Sequence, residues 1–349
     1  MRNLFLITLG FCLFFSSCDS YQPQNMPILE DYGNEELKAI NIATQKYPRT
    51  STNYYNKGLI LWNMGHKKEA LQSIAKAVEM NDSRGEYHLF LAQTYVENDS
   101  MNAAFNAAKK AESLGLDSLA LNVLLADLYA TDGKFENALG NIDAALVKNG
   151  EDAANHLRRG KILLAMGNPD QAEGSLLKSL ELQKDNADAS KALADIYLQK
   201  GDYENALVYI EQNLANTPSD NDFLYKKAVA LTNTGKATEA IGLFRKVVDQ
   251  KADYTSAHAQ LGSVYYAKRR YDSARHFANR ALKLDTKNIE AMMTLARVAD
   301  RKKGYWVAIK HYEDVLAIDS TYAPAVAEHK KVKGKIAWLQ YLEKNKGSE

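Results

Sequence analysis

The sequence predicts an all-α protein, an α–α superhelix (solenoid) of eight 34-residue helical hairpins with an N-terminal half-repeat and a C-terminal capping helix. Three observations predict it. Small residues recur at Gly58, Ala92, Ala126, Gly160, Ala194, Ala228, Gly262 and Ala296, and every step is 34. A second series follows 12 residues behind, at Ala70, Ala104, Ala138, Ala172, Ala206, Ala240, Ala274 and Ala308. Between the two stands a turn glycine, at Gly65, Gly133, Gly167, Gly201 and Gly235. Two antiparallel helices approach closely only where side chains are small, so these residues mark helix crossings, and the glycine ends the first helix of each pair.

The elements follow in chain order. Residues 1–17 begin MRNLFLITLGFCLFFSS, with Arg2 ahead of an apolar run from Leu4 to Phe15. Such a run is too short to span a bilayer and suits the core of a signal peptide. Ser16 and Ser17 then precede Cys18. The stretch resembles the lipobox of bacterial lipoproteins, although Phe15 stands where that pattern usually has leucine. The resemblance implies that Cys18 is acylated and becomes the first mature residue; a plain secretory leader cut near Ser17 is the alternative. Residues 18–33, with Pro23, Pro27 and Gly33, read as a flexible tether. Residues 34–50 read as a capping half-repeat, with Ile40 and Ala43 in the register of a second helix and Pro48 closing it.

Residues 51–320 carry the eight units, and Asn168 and Pro169 are expected to cap and open the second helix of the fourth. Residues 321–349 supply a long polar-faced helix whose Val326, Ile336, Leu339 and Leu342 are expected to cover the last unit, with Gly334 as a point of bending.

The repeat phrase resembles the tetratricopeptide repeat, a 34-residue helix–turn–helix unit. Tyrosine follows the first small position by three at Tyr95, Tyr129, Tyr197 and Tyr265. An aromatic opens the second helix at Phe135, Tyr203, Tyr271 and Tyr305, and a closing proline survives at Pro48 and Pro218. The family's tryptophan is absent, replaced by Tyr54, His88, Asn122 and others.

Charge and chemistry narrow the function. The 349 residues balance to +1, which argues against wholesale nucleic-acid binding. The balance hides an asymmetry: Asp253 to Glu349 holds 18 Lys/Arg against 11 Asp/Glu, whereas Cys18 to Ala252 holds 25 against 32. Both cysteines, Cys12 and Cys18, sit in the leader region, so the body has no thiol pair. Nucleophile-elbow, phosphate-loop, dinucleotide and zinc-protease motifs are all missing. The seven histidines are scattered, and His88, His156 and His258 share one repeat position, which reads as packing register. The expectation is a protein without catalytic residues, metal or cofactor.

The resemblance places function on the inner face, lined by the first helix of each unit. Its positions correspond to Tyr55, Leu59 and Trp62, then Leu89 and Gln93, then Val123 and Asp127, then Leu157 and Lys161. They continue with Lys191 and Asp195, Tyr225, Tyr266 and Arg297. Asp127, Lys161 and Asp195 share one position and are candidates for a charge ladder or a docking stripe. The carboxylate clamp of chaperone-binding relatives has no counterpart at these positions. The expected partner is a protein or peptide in the groove, with a lipid-anchored location at the bacterial cell envelope, on its periplasmic or surface-exposed face, and a role in envelope assembly or maintenance. Two other readings stay open: glycan or peptidoglycan binding through Tyr55, Trp62, Tyr225 and Tyr266, and weak homo-oligomerisation between the acidic and basic regions.

Overall fold

The computed structural model describes residues 30–345, and every regular element among them is an α-helix. The expected leader, Cys18 and most of the tether lie outside the described residues. The chain divides into two compact units, Met1–Leu125 and Ala126–Glu349. The first holds α1 (Glu35–Lys46) and the hairpins α2 (Ser51–Asn63) with α3 (Lys67–Met80) and α4 (Gly85–Glu97) with α5 (Met101–Ser113). Helix α6 (Leu119–Thr131) runs across the division. The second holds α7 (Phe135–Lys148), then α8 (Ala153–Ala165) with α9 (Pro169–Leu182), and α10 (Ala187–Lys200) with α11 (Tyr203–Asn216). It continues with α12 (Asn221–Asn233) and α13 (Ala237–Gln250), α14 (Thr255–Ala267) and α15 (Tyr271–Leu284), α16 (Ile289–Arg301) and α17 (Tyr305–Ile318), and ends in α18 (Ala323–Asn345). Within each unit the second helix of one hairpin packs on the first helix of the next.

The two small-residue series are the crossings. All eight alanines of the second series are fully buried, and so are Ala92, Ala126, Ala194, Ala228 and Ala296 of the first. At Gly262 a Cβ would lie 3.2 Å from the backbone nitrogen of Ala278 and 3.3 Å from the carbonyl oxygen of Ala274. Larger side chains fill the space beside these contacts; Phe244 and Tyr265 are buried in the cluster that joins α12–α13 to α14–α15.

The turns obey one rule more strictly than the glycines suggest. Residues 65, 99, 133, 167, 201, 235, 269 and 303 all have positive φ, between 55° and 84°. The amide after each closes on the carbonyl five residues back at 2.8 to 2.9 Å, from His66 on Leu61 to Gly304 on Ala299. This is the bond that ends a helix on a left-handed residue. Asp99, Arg269 and Lys303 take that conformation without being glycine. Aspartate tolerates it through local hydrogen bonding, and long side chains do not. Arg269→Gly and Lys303→Gly are therefore each expected to stabilise by up to about 1 kcal/mol, after the entropy of the unfolded glycine is subtracted. Asp99→Gly is expected to gain less. Thermal melts of the three variants check this, and equal shifts would contradict it.

Three other details differ from expectation. Asn168 stands at the N-cap of α9 with Pro169 following, but its side chain makes no capping bond; its amide closes the preceding turn on Leu163 instead. In α1 the buried face is Leu37, Asn41 and Thr44, a small rotation that leaves the expected Ile40 packed on the same core and Ala43 half-buried. Leu37 sets that rotation by packing on Leu61 and Ala70. Helix α18 runs through Gly334 unbroken. It covers the last hairpin with Ala325, Val332 and Ile336, while Val326, Leu339 and Leu342 are exposed because α18 faces α17 with a different stripe.

The shared histidine position has a physical role. His88, His156 and His258 direct Nε2 at the carbonyls of Asp82, Gly150 and Ala252, at 3.0, 2.9 and 3.0 Å. A carbonyl only accepts, so Nε2 carries the proton and each ring fastens the loop six residues before it.

Candidate functional site

In the first unit, α2 and α4 bring the predicted aromatics together around Phe90. Tyr55 stacks on Tyr87 at 4.7 Å between centroids, and Trp62 meets Phe90 edge-on at 5.7 Å. The two groove candidates Tyr55 and Trp62, with Leu59, Leu89, Gln93 and Val123, are partly buried. Burial pushes the Tyr55 hydroxyl up, and the Glu86 charge adds to it.

In the second unit the charged candidates do not pair with one another. Each reaches the next first helix at a shifted height. Arg158 Nε donates to both oxygens of Asp127 at 3.1 and 3.2 Å. Lys161 Nζ donates to Asp188 Oδ2 at 2.6 Å. Lys191 and Asp222 stand 3.6 Å apart, and Lys226 bridges Asp195 at 2.7 Å and Asp222 at 2.9 Å. The pairs between these helices join residues 31 apart (Asp127–Arg158, Lys191–Asp222, Asp195–Lys226) or 27 apart (Lys161–Asp188), and never the 34 of the repeat. Each partner therefore stands before the equivalent position, by about one turn at a separation of 31 and about two turns at 27.

The charges respond as this geometry requires. Burial would raise the Asp222 carboxyl, but hydrogen bonding and charge from Lys226 and Lys191 hold it below its ordinary value. The Lys161 bond likewise lowers Asp188. Most of these side chains are largely solvated, so each pair contributes about 0.2–1 kcal/mol. Their principal effect is to set the register of neighbouring helices and to line the face with both signs of charge.

A cleft of about 690 Å³ opens beside α8 and α10, bringing Lys161, Lys191 and Asp195 together. Leu164, Ala192 and Ile196 form its apolar part, and Pro169 closes one side. Leu157 belongs to the partly buried wall of the underlying core. Tyr225 is packed against Phe244 and Tyr254, at 5.7 and 5.3 Å, and Tyr266 against Tyr271 at 5.8 Å. Arg301 Nε also donates to the Tyr266 hydroxyl at 3.3 Å. These tyrosines are therefore half committed to the hairpin interior. Arg297 is engaged by Glu328 of α18, which accepts Nε and Nη2 at 2.9 to 3.1 Å. Sequence reasoning missed Arg158, Asp188, Asp222, Lys226 and Glu328 because it followed a single repeat position. Opposite charges 27 or 31 residues apart were the available signal. Among the described residues no three His, Cys, Asp or Glu side chains are grouped to hold a metal ion.

Models of the tetratricopeptide repeat match residues 51–84, 157–212, 192–255 and 231–298, together half of the chain. Superkiller complex protein 3 of Mus musculus is 26% identical over 245 residues, covering 68% of this chain and 16% of that protein. This chain therefore spans about a sixth of that relative's length. The C-terminal part of a TPR repeat-containing protein from Cytophaga hutchinsonii superposes with a TM-score of 0.54 at 18% identity, over 68% of this chain and 98% of that one. A chain of the APC/C hetero-tetramer Cut9–Hcn1 superposes with a TM-score of 0.52 at 18% identity, over 86% and 60%.

Proposed function

The chain belongs to the tetratricopeptide repeat family, and from that premise we propose that it is a non-catalytic scaffold whose first-helix face holds an extended protein segment of mixed charge. The observation that carries the reading is the cleft beside α8 and α10, where Lys161, Lys191, Asp188 and Asp195 ring the apolar Leu164, Ala192 and Ile196. A bound segment exchanges partners with the existing pairs, so no charge has to be buried alone, while its apolar side chains enter the middle. The residues proposed to line this face are Leu157, Lys161, Lys191, Asp195, Tyr225 and Tyr266 in the second unit. In the first unit they are Tyr55, Leu59, Trp62, Leu89, Gln93 and Val123, with Asp127 just past the division and Arg297 held by α18.

The test places a photo-crosslinker at Ala192 in the full chain in intact cells. A protein adduct is expected that disappears in Lys161→Glu/Lys191→Glu, a surface double reversal that leaves helicity intact. An adduct pattern identical in the double variant, or none at all, would refute the reading.

The scaffold is further proposed to be a lipoprotein of a bacterial cell envelope, held to a membrane through acylated Cys18. Among the described residues no helix is long and apolar enough to cross a membrane, so this reading rests on Cys18 and the sequence before it. Two or more acyl chains suffice for a stable anchor. Cys18→Ser is expected to move the protein from the membrane pellet to the soluble fraction; retention in the pellet would sink the proposal.

A further inference from the structure

A second cleft, of about 700 Å³, lies on the α14–α15 hairpin, away from the first-helix face just described. His258, His276, Asn279, Arg280, Leu282 and Lys283 line it. Four of the six carry or can carry positive charge, and none is acidic. Among the described residues Arg280 and Lys283 form no ion pair, although most lysines and arginines of the first-helix face do.

The repeat supplies an internal comparison. The hairpins of His88 and His156 carry a lysine where this one carries Arg280, namely Lys110 and Lys178. In the first of these hairpins Lys110 pairs with Asp82 of the preceding loop at 3.1 Å. In the other, Lys178 pairs with Glu181 at 2.9 Å. At the corresponding places the α14–α15 hairpin has Ala252 for Asp82 and Lys283 for Glu181. Both internal counter-charges are gone, and one has been replaced by a further cation.

The buried histidine points the same way. His258 is 6% exposed, and its Nε2 is committed to the Ala252 carbonyl. Its Nδ1 is buried without a hydrogen-bond partner. With the proton on Nε2, Nδ1 is a lone-pair acceptor that is costly to leave unmatched, and what completes it is a donor: a water of the ligand's shell or the hydroxyl of a hydrogen phosphate. Burial, followed by the nearby charges of Arg280 and His276, pulls its proton affinity down despite the Ala252 bond. The Arg280 and His276 side chains thus act on the base of the cleft as well as on its rim.

We propose that this cleft binds an oxyanion of the phosphate type, with Arg280 and Lys283 supplying the charge and Asn279 and His276 further donors. The anion takes the place that Asp82 and Glu181 fill in the other hairpins. Charge-assisted hydrogen bonds from a guanidinium and an ammonium on one helix face match the tetrahedral oxygens of a phosphoryl group. The phosphoryl group can belong to a free phosphate or to an anionic lipid headgroup, and the experiment separates the two.

The test uses the full chain at low ionic strength and follows the imidazole resonances of His258 and His276. One arm adds inorganic phosphate against a chloride control of equal ionic strength. The other adds vesicles of phosphatidylcholine with and without phosphatidylglycerol. Saturable shifts with phosphate are expected, on the order of millimolar, and Lys283→Glu is expected to weaken them at least about tenfold by restoring the internal pair seen at Lys178 and Glu181. Arg280→Gln should weaken binding in the same way. Both positions are solvent-facing, so circular dichroism should not change. A response to phosphatidylglycerol vesicles alone assigns the anion to a lipid headgroup, and a response to phosphate alone assigns it to a soluble one. Shifts equal in chloride, no saturable shift in either arm, or an unchanged response in Lys283→Glu would overturn the proposal.

Discussion

Glu328→Ala is expected to undock α18 and to lower stability by about 2 kcal/mol. Both Glu328 oxygens accept from Arg297, and Oε2 also accepts the Tyr312 hydroxyl at 2.7 Å. Removing the carboxylate strands a half-buried guanidinium and a buried phenol together. Loss of a fully buried partner costs roughly 3–5 kcal/mol, and the lower figure reflects the part of this site that solvent reaches. The Val332 and Ala325 contacts that cover α17 then depend on hydrophobic area alone. Glu328→Gln keeps the shape and an acceptor and should lose less.

Amide exchange along α18 provides the measurement, and unchanged protection in Glu328→Ala would contradict the account. The same network fixes the sign of the pH response. Burial raises the Glu328 carboxyl, but hydrogen bonds from Arg297 and Tyr312 outweigh it and leave the group below its ordinary value. A depressed carboxyl contributes fully above its unfolded pKa and loses its contribution as pH falls through the folded one. Docking of α18 should therefore weaken in acid, below about pH 4, and be insensitive to alkali up to the lysine range.

Gly262→Leu is expected to be the most damaging single replacement in the α14–α15 hairpin, at about 3 kcal/mol. The atoms a side chain would meet there are the Ala278 nitrogen at 3.2 Å and the Ala274 carbonyl oxygen and Ala278 Cβ at 3.3 Å, all fixed to the backbone of the facing helix. No rotamer change relieves such contact, so the two helices must part and uncover Tyr265 and Phe244. Gly242 in α13 makes the contrast: a Cβ there has nothing within 4 Å. Gly242→Ala should stabilise by roughly 0.5–1 kcal/mol through helix propensity alone. Local amide exchange locates each effect, because a stack of similar hairpins opens hairpin by hairpin rather than in one step. Equal melts for the two variants would mean that the crossing is not as tight as its geometry implies.

The hairpins were legible because their cause is local and repeated. A crossing needs a small residue at one place, so Ala138 and Ala206 announce themselves by stride. The turns were only partly legible. Five glycines pointed to the left-handed position, but Asp99, Arg269 and Lys303 show that the joint imposes the conformation on whatever residue arrives there. The two ends were least legible, since Leu37 and Val332 pack against a hairpin on one side only and are freed from the repeat's register.

The candidate face was legible as a row and not as a network. Asp127, Lys161 and Asp195 were found as equivalents, yet a contact between neighbouring helices depends on their relative twist. Lys226, which bridges two carboxylates, follows from three-dimensional offset and not from repetition. His258 lay in plain view as one of three equivalent rings; its distinction comes from what Ala252 and Lys283 fail to provide beside it.

The uniform setting of the eight turns has an editorial consequence. A cut made after one left-handed residue and rejoined after the next, as in removal of residues 168–201, leaves Gly167 followed by Asp202, a junction with the same backbone sense and the same closing amide. The length of the second unit is thus countable in whole hairpins, like links taken from a watch strap, and insertion or loss of a link demands no new clasp.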